Sequence, residues 1–279
     1  MAGDPSGVNR FSKSLSDRKM SPTDNTLPSW PREFYEAAEQ SAFLFYVVYG
    51  ADAGDLRLSR SKYRCEGLPD GIDVMAYGPN LHPEVVDSFR QGHLWDELRA
   101  WRPALAEEVA AQSACVIVRG SVPSGPSLNY FRDTIGLLTC LLDTGGVAIY
   151  DPQSLAWWSP DDWRATVFEP ASPLPHEHVA ILVSDEDDEL QWFHTRGLRK
   201  YGRPDLSLHG VPVKYQGAVV DLFNRFISFQ AHGGVIRHGD PVRMESLPDG
   251  MICVHGGDED DPDFNNTHVE ILWPGSDKG

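Results

Sequence analysis

The order of apolar and polar positions divides the chain into short buried runs and amphipathic stretches. "AFLFYVVYG" (residues 42–50) is a continuous apolar run stopped by Gly50, the signature of a buried strand. Before it, Ser29 as a cap and Pro31 in the first turn predict a short helix over residues 31–41. Residues 57–78 read as a hairpin with Pro69, Asp70 and Gly71 in its turn. Residues 83–112 are helix-rich, interrupted at Gly92 and Pro103. "SACVIVRG" (113–120) and "VAIYD" (147–151) are β-branched strands. Between them Leu128, Phe131, Ile135, Leu138 and Leu142 recur at helical spacing, with Ser127 placed to cap the start and Gly145 the end. This β-α-β order predicts a parallel strand pair joined by a right-handed crossover.

After a connector containing Pro170, Pro173 and Pro175, the pattern becomes strand-rich. "HVAILVS" and "ELQWFHT" flank the acidic turn "DEDD" (185–188), and "DLSLHG" (205–210) is a further short strand. Val219, Leu222, Phe223, Phe226 and Phe229 give residues 215–230 one apolar face, as in an amphipathic helix. "MICVHG" and "HVEILW" close the pattern as strands. The fold class is therefore α+β: a βαβ unit near 114–150 and a second strand-rich unit from about residue 176. The organisation is a disordered tail over residues 1–28 and two halves, 29–170 and 171–279, or one continuous domain.

Charge narrows the function classes. With 41 acidic against 24 basic residues, the formal charge of −17 repels phosphate backbones and disfavours nucleic acid, while suiting a basic protein partner. No apolar run approaches the roughly 18 residues of a membrane span, and the tail has the charges but not the apolar block of a secretory signal. Cys65, Cys115, Cys140 and Cys253 form no C-x-x-C pair, which fits a reducing cytoplasm.

The densest polar stretch is "QWFHTRGLRKYGRPDLSLHG" (191–210). Thr195 can cap a short helix over "GLRKYG", and Arg196, Arg199, Lys200 and Arg203 could add donors to an anion pocket floored by His194. The competing reading is a cationic turn neutralised from within, by Asp205 and the 185–189 loop; with carboxylates in such excess, this reading takes precedence. His176 and His178 lie two apart and could begin a zinc site, but no third ligand is spaced to join them, so no metal or other cofactor is expected. The 258–266 loop fails as an EF-hand, having Pro262 at its fifth position, Asp263 at its sixth and Val269 at its twelfth; a solvated loop is expected. "SVPSGPS" lacks the G-x-S-x-G elbow, Asp151-Pro152 is a turn opening, and Trp157, Trp158 and Trp163 read as core.

Two stretches carry a resemblance: "LNYFRDTIGLLTCLLDTGGVAIYDPQSLAWWSP" and "WFHTRGLRKYGRPDL". The second fits T-x-G-L-x-x-[FY]-G-x-P-[DE]-L, and together they resemble a family of bacterial proteins of unknown function over roughly residues 94–245. The resemblance implies no activity; it implies that residues 194–205 form a defining turn. By loose analogy with proteins found beside toxin and immunity genes, an accessory or immunity-like role is expected. The sequence thus reads as a non-catalytic acidic binding protein, with a hydrolase or transferase using His194, Arg196 and Arg203 on an anionic substrate as the alternative.

Overall fold

The computed structural model describes residues 27–54 and 56–275, so the expected disordered tail falls, up to residue 26, outside the described residues. The fold is α+β, with two five-stranded sheets. The described residues divide into two compact units: one holds 27–30, Leu44–Val122 and Ser127–Pro173, the other Pro31–Phe43, Pro123–Pro126 and 174–275.

In the first unit the sheet contains β1 (Ala42–Tyr49), β2 (Ile72–Tyr77), β3 (Cys115–Val122), β4 (Ala148–Asp151) and β5 (Ala156–Trp158), in the order β2-β3-β1-β4-β5. The expected direct pairing of β3 with β4 does not form. The apolar strand β1 lies between them and runs antiparallel to β4; a long buried apolar strand suits a central place, where both of its edges are paired. The helix linking them, α5 (Asn129–Asp143), begins after Leu128, and Ser127 does not cap it. The expected hairpin over 57–78 is also absent. Its turn forms, with Ile72 N donating to Pro69 O, but the preceding arm carries the one-turn helix α1 (Arg60–Tyr63), and β2 pairs with β3 instead. Gly92 and Pro103 separate α2 (Pro83–Ser88), α3 (His93–Trp101) and α4 (Pro103–Ala110). These helices cover a core of Val47, Tyr49, Trp95, Leu98, Val109 and Ile117, with Trp157 stacked 4.3 Å from Tyr150. Trp163, fully buried in the helical segment after α6 (Pro160–Asp162), donates Nε1 to Thr139 Oγ1.

The second unit is built on β6 (Ala180–Asp185), β7 (Leu190–Arg196), β8 (Asp205–Pro212), β9 (Ile252–Gly256) and β10 (His268–Leu272), in the order β6-β7-β8-β10-β9. The parallel pair occurs here: β8 and β10 run parallel, and the chain between them includes α7 (Gln216–Ala231). Phe193 of β7 meets Phe223 of α7 edge to face, and Leu206, Leu208, Val219, Leu222 and Ile227 fill the same layer. Residues 31–41 are not helical. Arg32, Phe34 and Glu36 send their backbone N–H groups to Pro126, His232 and Gly233, so long-range carbonyls replace the i−4 partners a helix would supply. The buried Arg32 guanidinium fixes this path by donating to Tyr201, Gln230 and Ala231 carbonyls.

Candidate functional site

The polar stretch is the connection between β7 and β8. β7 ends at Arg196, and Gly197 (φ +124°) turns so closely past His178 that a Cβ there would lie 2.5 Å from the His178 carbonyl oxygen. A single 3₁₀ turn, Leu198–Tyr201, follows, closed by Gly202 in the left-handed region. Thr195 does not cap this turn, contrary to its sequence reading: its hydroxyl donates to Asp205 Oδ1 and accepts from Leu206 N, each at 2.8 Å. The cap comes from the other end of the motif, where Asp205 Oδ1 accepts from Leu198 N and Oδ2 from Asn266 Nδ2. Asp205 is fully buried, and burial pushes its carboxyl up to about 6, against the lowering effect of the Asn266, Thr195 and Leu198 donors and of the Arg196 charge.

The cations separate into two groups. Lys200 and Arg203 are buried. Lys200 Nζ donates to His178 O at 2.7 Å, and Arg203 donates to the carbonyls of Glu36, Gly202, Gly233 and Gly234. Arg196 and Arg199 lie nearer the surface and face the 258–266 loop: Arg196 reaches Asp263 O, while Arg199 reaches Asn265 O and the Glu259 carboxylate. The partners seen among the described residues are backbone carbonyls and, for Arg199, the Glu259 carboxylate of the 258–266 loop. The 185–189 loop does not take part; its Glu186 accepts from Gly210 N and pairs with His209 Nδ1. The four cations do not converge on one point.

His194 stands apart from them. Its ring stacks on Trp192 at 4.0 Å and meets Phe264 edge-on, it is 8% exposed, and Nδ1 has no hydrogen-bond partner. Burial, then the Arg196 charge, lowers its pKa to about 4, so the imidazole is neutral at pH 7. The exposed His209 ring also stacks on Trp192, at 4.8 Å, and Trp192 Nε1 donates to Ser207 Oγ. This His209–Trp192–His194 stack occupies the sheet face opposite the Phe193–Phe223 layer. The period-two alternation of β7 carries the signal for it, since Trp192, His194 and Arg196 share one face.

The 258–266 loop is more than the solvated segment expected from its charges. Asp258, Glu259 and Asp260 are exposed, whereas Phe264 and Asn266 are buried, Asn266 bridging Asp205 and the Arg203 carbonyl. His176 and His178 do not lie on β6. They fall in and just after a 3₁₀ turn, with His176 exposed beside Glu177 and His178 buried, its pKa held well below the usual range first by burial and then by Lys200. Among the described residues no group of three or more His, Cys, Asp or Glu side chains is arranged to hold a metal ion, and no helix is long and apolar enough to cross a membrane. In the first unit, Asp151 accepts from Gln153 N, Ser154 N and Ser154 Oγ, the pattern of a turn.

No protein family, curated protein or solved structure matches the chain.

Proposed function

We propose that this is a non-catalytic binding protein, accessory or immunity-like in kind, whose second unit recognises a basic protein through exposed carboxylates. The observation that carries this reading is the division of charge around the β7–β8 turn. Lys200 and Arg203 are buried against carbonyls, Arg196 and Arg199 are engaged by the 258–266 loop, and Asp187, Asp188, Glu189, Asp258 and Asp260 remain exposed. A surface of that sign accelerates and selects the approach of a basic partner. The aromatic stack adds an anchor: Trp192 is half-buried and His209 exposed, and Glu186 holds the His209 ring in place.

The competing hydrolase or transferase reading draws little support from the site. His194 is neutral and held between two aromatic rings, no nucleophile bonds to it, and Arg203 faces carbonyls where a substrate anion would have to sit.

The test is affinity capture from native lysate, repeated with a variant in which Asp187, Asp188, Asp258 and Asp260 are changed to Asn and Glu189 to Gln. A basic protein recovered by the wild type at low salt, lost near ~0.5 M NaCl and lost in the amide variant supports the reading. Recovery of no basic protein, or recovery unchanged in the amide variant, overturns it.

A further inference from the structure

Behind the β7–β8 turn, wholly within the second unit, lies a cavity of about 490 Å³, in the range of small-molecule sites. Its walls include residues 38–40, the Gly202-Arg203-Pro204 segment, Gln230 near the end of α7, and the β9 and β10 ends bearing His255 and His268. Val235 and Ile236 supply an apolar surface.

The polar groups of the lining are mostly acceptors. Gln230 is fully buried; its Nε2 donates to Pro204 O at 3.2 Å, and its Oε1 has no hydrogen-bond partner. Gln230 lines the cavity, so this buried oxygen lies at its wall. The bond from Nε2 to Pro204 O fixes the amide's orientation, since a reversed amide would set two oxygens against each other. His255 uses Nε2 on Ile236 O at 2.8 Å, which makes that nitrogen the donor and leaves the Nδ1 lone pair as an acceptor in the neutral ring. His268 Nδ1 also has no hydrogen-bond partner, its nearest carboxylate, Asp261, standing at 3.8 Å. Glu39 is exposed among the lining residues. The one permanent cation of the lining, Arg203, directs its guanidinium to four backbone carbonyls. An anion would therefore meet acceptors and carboxylates, whereas a donor-rich cation would meet partners on several sides.

We propose that this cavity binds a small N–H-rich cation, a guanidinium or primary ammonium group held by Gln230 Oε1, the His255 Nδ1 acceptor and Glu39. The group can belong to a free amine metabolite or to an arginine side chain of a bound protein, and the chemistry of recognition is the same. The inference does not depend on the exposed acidic loops, because none of the five carboxylates neutralised in the capture experiment lines the cavity.

The experiment is NMR titration of the isotope-labelled full chain with agmatine, with a capped Gly-Arg-Gly peptide, and with inorganic phosphate. Saturable shifts of the Gln230 side-chain amide and of the His255 and His268 imidazoles are expected with agmatine or the peptide, and none with phosphate. Tighter binding of the peptide identifies a protein-borne arginine as the source; equal or tighter binding of agmatine identifies a free metabolite. Ala38→Trp fills the cavity and should abolish the shifts. Glu39→Gln, at an exposed position that leaves the fold alone, should weaken binding about two- to fivefold. Absence of saturable shifts with both cations, the same shifts with phosphate, or undiminished agmatine binding by a natively folded Ala38→Trp variant would overturn the proposal.

Discussion

Lowering the pH from 7 to 5 sets two buried groups of the β7–β8 connection against each other. His194 has its folded pKa lowered to about 4 against an ordinary value of 6.5, so between those values the unfolded chain binds more protons and acid favours unfolding. From pH 7 to 5 this costs about 2 kcal/mol. Asp205 has the opposite sign. Its folded pKa, raised to about 6 from 3.8, means the folded chain binds more protons in that window, and the same change of pH contributes about 1 kcal/mol of stability. His178, lowered for the same reason as His194, adds to the loss. The perturbation that separates these effects is His194→Phe, which keeps a ring between Trp192 and Phe264 and removes the titration. Urea denaturation followed by circular dichroism at both pH values reads the difference. The variant should lose about 2 kcal/mol less than the wild type between pH 7 and 5. Asp205→Asn is less stable at every pH, because its new amide faces the Asn266 donor, and its loss over the same interval should exceed that of the wild type by about 1 kcal/mol. If His194→Phe and the wild type lose stability equally, within about 0.5 kcal/mol, the imidazole is not a buried neutral group and the account of this turn is wrong.

Two further predictions follow from the same burial. Arg203→Met removes the guanidinium from four carbonyls, of which Gly233 keeps the Glu36 N–H, and should cost about 3–5 kcal/mol, whereas Arg196→Met, at the partly exposed end of the turn, should cost less than about 1 kcal/mol; urea midpoints compare them directly, and similar costs would refute the division of the cations. All four cysteines are buried, and burial raises their thiols, Cys65 to about 12 and Cys115 and Cys253 to about 11, so a thiol reagent at pH 8 should label the native protein slowly and all four sites after unfolding.

The period-two and helical patterns located most strands and the long helices because those signals are local: β7, β8, α5 and α7 follow from which side chains share a face. Pairing is not local. That β1 would separate β3 from β4, and that β8 would run parallel to β10, depends on segments far apart in the chain. Residues 31–41 have helix-start residues, yet their N–H groups find carbonyls near residue 232, and no nearby signal announces that. The candidate site was legible in part. The density of charge marked the turn, and the excess of carboxylates pointed to neutralisation from within, but the counter-groups are backbone carbonyls, which no composition reveals. Phe264 and Asn266 were hidden inside an acidic loop, and Gln230 inside an amphipathic helix where it reads as one more polar position.

The buried arginines have a common physical cause. Irregular backbone around residues 31–36, 201–204 and 230–234 presents carbonyls that no helix or strand satisfies, and Pro31 and Pro204 each remove an N–H from the local supply. A guanidinium carries five donors on one rigid plane, so a single side chain can serve several carbonyls at once. Among the described residues, Arg32 serves at least three and Arg203 at least four. Burying positive charge this way is costly in isolation, but a chain of formal charge −17 surrounds it with a field of the favourable sign. The same excess leaves the surface loops acidic. Arg32 and Arg203 are thereby spent on irregular backbone, while Arg225, Arg237 and Arg243 of the same unit stay exposed. The turn that looks most like chemistry in the sequence holds the second unit together, and the unit's carboxylate-rich loops lie exposed.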